Sequence, residues 1–166
     1  MKMRAARTDD LPPIMAMERL PEYRTLVGNW TQSEHLECMA DGNYRYFAVD
    51  AQPGELAAFA ILRKLNSPHR SICLQRIVVA QPGGGVGRKF LGEIMEFVFG
   101  ELKAHRLWLD VFETNTRAQH VYESLGFRHE GRLREAILRD GEYHTQLLMS
   151  ILDREYAALR AGGVRS

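Results

Sequence analysis

Long apolar runs are missing from this chain. No stretch approaches the roughly 18 consecutive apolar residues of a membrane span, and the start, MKMRAARTDD, lacks the apolar segment of a secretory signal. Both observations point to a cytoplasmic protein. Cysteine is scarce: Cys38 and Cys73 form no CxxC pair, so a disulfide framework or a zinc site has no support, and two plain buried or half-buried thiols are expected. The six histidines (35, 69, 105, 120, 129 and 144) show no HxxxH or HExxH spacing, and no metal is expected. An excess of charge of one sign is also absent. With 22 Lys+Arg against 21 Asp+Glu, net +1, nothing draws the chain to nucleic acid or to an anionic membrane.

What is present is an ordinary globular composition, with 166 residues of which 45% are hydrophobic. A chain of this length buries about two-thirds of its unfolded surface without staples. One domain over residues 1–156 is expected, followed by a small, glycine-containing and frayed tail, 157–166. Repeats, low-complexity tracts and linkers are absent.

The elements follow from periodicity and punctuation. A short strand over 1–6 precedes a helix capped by Thr8 or Asp9, with Pro12 and Pro13 in its first turn. Thr31 or Ser33 opens a second helix, roughly 32–40. The runs 44–50 and 56–65, joined by the turn AQPG, read as a hairpin, and SICLQRIVVA, 71–80, reads as a central strand. From Gly87 to Glu101 the apolar residues Phe90, Leu91, Ile94, Met95 and Val98 mark one helical face. RLWLDVF, 106–112, reads as a strand covered on both sides. Residues 115–124 form a helix stopped by Gly126. Two last strands, 127–138 and 143–152, flank Asp140-Gly141. The order βααβββαβαββ predicts a single α/β (α+β) domain, a mixed and mostly antiparallel sheet with helices on both faces.

The strongest chemical signal is the turn QPGGGVGRK, 81–89, between strand and helix. Such a turn aims backbone N–H groups and the positive end of a helix at one point, which suits phosphate. It is not a P-loop, because Arg88 stands where GxxxxGK[ST] needs its second glycine and Phe90 follows Lys89. Nor is it a dinucleotide fingerprint, because Arg88 or Phe90 falls on the third glycine of GxGxxG.

What remains is G-x-G-x-G-R at 83–88 ahead of an amphipathic helix, and further on NTRAQHVYESLGF, 115–127. The pair, in this order and one strand apart, resembles the coenzyme A pyrophosphate loop and the N-x-x-A-x-x-x-Y-x-x-x-G-F signature of the GCN5-related N-acetyltransferase (GNAT) family. The closing segment, 130–156, resembles the ribosomal-protein-alanine and small-amine acetyltransferase branch. One departure is Pro82 immediately before the first glycine, with Gln81 one place earlier; the family has Arg or Gln at that position.

The resemblance implies an acetyl-CoA-dependent N-acetyltransferase that acts by direct attack of a primary amine, either a protein N-terminal α-amine or a small-molecule amine. It implies coenzyme contacts at Ile77, Val78 and Val79, at Gly83, Gly84, Gly85, Val86, Gly87 and Arg88, and at Asn115. Tyr122 matches the family's general-acid position, and Asp110 matches an acidic residue proposed as base. On the residues alone, Tyr122 also reads as a core tyrosine, Asn115 as a helix N-cap and Asp110 as a hydrogen-bonded structural carboxylate that burial would raise in pKa. Glu18 and Glu113 are weaker candidates for the base.

By the same resemblance the acceptor pocket is built from the first two helices and the last hairpin, here Glu18, Tyr23, Trp30, Glu34, Glu37, Tyr143 and His144. Glu18, Glu34 and Glu37 could attract a polyamine, although charges on helices are more often a solvated face. Two other functions stay open: a non-catalytic acetyl-CoA-binding sensor or assembly module, and an antibiotic-modifying acetyltransferase. A homodimer formed by strand or hairpin exchange is a further expectation.

Overall fold

The computed structural model describes residues 2–163. Seven strands form one sheet in the order β1-β2-β3-β4-β5-β7-β6, with β1 Met3–Ala5, β2 Tyr44–Gln52, β3 Glu55–Arg63, β4 Ser71–Val79, β5 Arg106–Phe112, β6 Arg128–Arg139 and β7 Glu142–Leu152. Every neighbouring pair is antiparallel except β4 and β5. The helices are α1 Leu11–Glu18, α2 Gln32–Ala40, α3 Val86–Glu96, α4 Thr116–Ser124 and α5 Asp153–Gly162. The single domain with a mixed, mostly antiparallel sheet expected from the sequence is the one observed.

Two apolar cores sit on the two faces of the sheet. On one face Phe90, Leu91, Ile94 and Met95 of α3, with Tyr122 of α4, pack on Leu62, Leu74, Leu107, Leu109 and Met149. On the other, Leu11, Ile14 and Met17 of α1 pack on Tyr46, Phe59, Ile61 and Val78. Each helix buries a stripe because its apolar residues recur at three- and four-residue spacing, and burial at roughly 25 cal/mol per Å² makes these cores the main favourable contribution. Both thiols are free; Cys73 is buried and Cys38 half-buried.

Two differences from the sequence reading concern helices. Residues 157–162, expected as a frayed tail, continue α5, whose Tyr156 stacks on Phe99 with ring centroids 4.9 Å apart. Positions 164–166 of that tail lie outside the described residues. The predicted helix running to Glu101 changes at Phe97 into a wider π-type turn, Phe97–Glu101.

The feature that positions the site is a failure of pairing. β4 and β5 pair only from Ser71 and Arg106 to Cys73 and Trp108. Beyond that point β4 carries an extra residue: Leu62 faces Leu74 while Ile61 faces Arg76, which leaves Gln75 as a bulge. A bulge bends its strand. β5 meanwhile stays paired to β7 as far as Phe112 and Gln146, so the two central strands part and a wedge opens between them.

Candidate active site

A cleft of about 890 Å³ fills this wedge. One wall is the freed edge of β4. Ala80 donates its N–H to the Ala57 carbonyl of β3, and strand alternation then directs the polar groups of Val78 toward β3 and those of Ile77 and Val79 toward the cleft. The Val78 side chain packs under α1. Of the three strand residues expected to meet a coenzyme, two therefore present hydrogen-bonding groups to the cleft.

The glycine-rich turn closes one end. Gly83 and Gly85 adopt left-handed φ values of 100° and 75°, which an L side chain disfavours. α3 begins at Val86 with Gly85 as its N-cap and no capping side chain, and the first N–H groups of a helix have no intrahelical acceptor. Gly83, Gly85, Gly87 and Arg88 border the cleft, whereas Gly84 and Val86 line a smaller hollow on the far side of the turn. Pro82 borders the cleft, and Gln81 is exposed.

The opposite wall comes from β5 and α4. Asn115 caps α4, its side-chain oxygen accepting the Ala118 N–H at 3.3 Å, so the N-cap role is realised; the residue also faces the cleft. Tyr122, two turns on, faces the same cleft while its ring packs at 5.8 Å from Phe127. Burial, with the Asp110 charge second, raises its phenol above the ordinary tyrosine range, so the hydroxyl keeps its proton at any physiological pH.

Asp110 is open to water in the free cleft, yet it sits low in a concave wall. Desolvation there raises its carboxyl above the usual carboxylate range, opposed by the Arg63 charge and by a hydrogen bond from Gln146 Nε2 of 2.8 Å. A carboxylate in this state is a better base than a fully solvated one.

The other carboxylates considered as base stand elsewhere. Glu18 has no exposed surface; it accepts from Arg76 Nη1 at 2.5 Å and lies 3.2 Å from His35 Nε2. His35 in turn meets the Tyr46 hydroxyl at 3.0 Å. Glu113 is exposed and held by Arg132 at 2.6 and 2.9 Å. Neither borders the cleft.

Of the residues expected around an acceptor, Tyr23 and Trp30 line the cleft. Glu34 closes its own helix cap with Thr31, Glu37 and Tyr143 are exposed away from the cleft, and His144 stacks on Phe112 at 4.9 Å. The three-glutamate surface for a polyamine is therefore not assembled.

Sequence reasoning missed Arg63, Arg76, Arg139 and Gln146, all of which line the cleft. Arg76 was legible in part: a lone charge within the apolar run SICLQRIVVA requires a buried partner. That partner is Glu18, with the Trp30 ring 3.9 Å from the guanidinium carbon. Gln146 becomes visible only through the register that sets it opposite Phe112.

A model of the Acetyltransferase (GNAT) family matches residues 11–127. The spermidine N(1)-acetyltransferase of Vibrio cholerae serotype O1 is 32% identical over 117 residues, 70% of this chain and 68% of that protein. That of Escherichia coli K12 is 31% identical over 119 residues, 71% of this chain and 63% of the other. A solved structure of spermidine N-acetyltransferase from Vibrio cholerae in complex with CoA and spermine superposes with a TM-score of 0.84 at 27% identity, covering 94% of this chain and 97% of that one.

Proposed function

Because the chain belongs to the acetyltransferase (GNAT) family, whose members are acetyl-CoA acyltransferases, we propose that it transfers the acetyl group of acetyl-CoA to a primary amine of a small molecule by direct attack. The observation that carries this reading is the wedge between β4 and β5, which sets an unpaired strand edge, a glycine-rich helix start, Asp110 and Tyr122 around one cavity.

The residues present suit the coenzyme. N–H groups of the 83–88 turn and the Arg88 guanidinium would hold the pyrophosphate. The inward polar groups of Ile77 and Val79 would pair with the pantetheine amides as an added strand does. The thioester supplies an activated acyl carbon. Asp110 takes a proton from the incoming ammonium, and Tyr122, always protonated, donates a hydrogen bond to the departing sulfur.

The names of the relatives make spermidine the first acceptor to assay, and protein N-terminal peptides the second. Calorimetry with acetyl-CoA followed by thiol release in the presence of amines tests the reading. Binding is expected, with release that depends on an amine. Tyr122→Phe is expected to lower kcat by about 100-fold with coenzyme affinity retained. Binding without release by any amine would make the chain a coenzyme-holding module and remove the proposal.

A further inference from the structure

The charges at the acceptor end of the cleft differ from those a polycation requires. Setting aside Arg88 and Arg117 near the glycine-rich turn and α4, the charged residues lining the cavity are Arg63, Arg76 and Arg139 against Glu22 and Asp110. Arg76 is neutralised from behind by Glu18. Two arginines and two carboxylates remain, so the cavity has no surplus of negative charge to attract spermidine.

Arg63 is the informative one. It ends β3, opposite Cys73 of β4, which in turn lies beside Trp108 of β5. Trp108 and Asp110 are two residues apart on β5 and so share a face. The Arg63 guanidinium stands over the Trp108 ring, 5.7 Å from its centroid, and its charge acts on Asp110. It forms no ion pair within 4 Å among the described residues, and its Nε is buried without a hydrogen-bond partner there. A guanidinium on the cleft wall with no carboxylate partner is left to pair with an anionic ligand through its terminal nitrogens. Arg139, at the end of β6, also forms no ion pair within 4 Å among the described residues; it donates to the Thr25 carbonyl at 3.0 Å and lies over Phe112.

We infer that the acceptor is an amine carrying a carboxylate close to its nitrogen, of the amino-acid type, with the ammonium directed to Asp110 and the carboxylate to Arg63. The inference rests on the acetyl-transfer reading above. The transfer balances: the amine nitrogen forms the amide bond to the acetyl carbon, the carbon–sulfur bond breaks, and of the two protons the ammonium gives up, one passes through Asp110 to water and the other ends on the thiol of CoA.

Thiol release by the full chain with acetyl-CoA is measured against the protein amino acids and β-alanine, each beside its carboxamide, and against spermidine. The amide has the lower amine pKa, so intrinsic reactivity favours it. At least one amino acid is expected to exceed both its own amide and spermidine in kcat/KM by about 10- to 100-fold, as for one charge-assisted contact. In Arg63→Met that ratio is expected to fall toward one, and in Arg63→Lys to be partly restored; calorimetric acetyl-CoA affinity reports that each variant is folded. Arg63→Gln, which keeps a polar side chain but removes the charge, gives the same readout if Arg63→Met does not fold.

Preference for spermidine or for the amides, or a ratio unmoved in the folded Arg63 variants, overturns the inference and leaves the transferase reading intact. If Arg63 only tunes Asp110, the rates for acid and amide move together, which also overturns it. Coenzyme binding without release from any compound overturns it as well, and loss of coenzyme binding in the unaltered chain overturns both readings.

Discussion

Asp110 shows how one side chain takes its chemistry from its surroundings. The concave wall raises its carboxyl, and Arg63 with Gln146 limits the rise. The rate should therefore fall on the acid side as this carboxylate is protonated, at a pH above the ordinary value of about 4. In Asp110→Asn that limb should vanish, together with most of the rate, in a kcat/KM profile against pH. A limb that persists in the variant would assign the base to water or to another group. Glu18 illustrates the opposite case, a carboxylate whose neighbours exclude it from catalysis. Substituting it by Gln strands Arg76, which is 5% exposed, as an uncompensated buried charge. Such losses cost about 3–5 kcal/mol, so Glu18→Gln should lower the thermal midpoint by roughly 10 °C in a calorimetric melt.

Among the elements, β4 decides most. Its residues were legible as a central strand because the run is short, apolar and β-branched. The bulge at Gln75 was not, since nothing in SICLQRIVVA marks one residue as extra; it exists only relative to β3. α3 and α4 were legible from period and punctuation. Gly126, at φ 91°, stops α4 where the sequence places the stop, and a Cβ there would also push aside a terminal methyl of Leu159 on α5, a contact visible only in three dimensions. α5 escaped notice because its small and polar residues lack an apolar stripe. At the turn before α3, Arg88 lies exposed at the cleft mouth with one long contact, 3.5 Å, to the Ser124 carbonyl. Arg88→Ala should raise the acetyl-CoA dissociation constant about tenfold in calorimetry, with kcat at saturation unchanged.

For the molecule as a whole, acid stability is set in part where the chain begins. Arg4 forks between Asp10, at 2.8 and 2.9 Å, and Asp50, at 2.7 Å from both oxygens, joining β1, the start of α1 and β2. The Arg4 hydrogen bonds hold both carboxyls below their usual range. Their contribution to stability is therefore fully present above the unfolded value of about 3.9 and is lost as pH falls through the lower folded values. Arg4→Met should flatten the stability profile in that acid window, as read by urea midpoints at a series of pH values.

The sequence by itself determined the element order as far as β7, the mixed sheet, the faces of the helices before it and the glycine-rich turn, because periodicity, caps and turn residues act over a few neighbouring positions. It also set Asn115 and Tyr122 on one face, since helix geometry fixes a seven-residue spacing. Only the tertiary structure decided which strand edge is free, that Glu18 is buried with Arg76 and His35, and that Arg63 stands over Trp108. Those facts depend on register between strands far apart in the chain and on charges brought together by packing, and no local pattern encodes either.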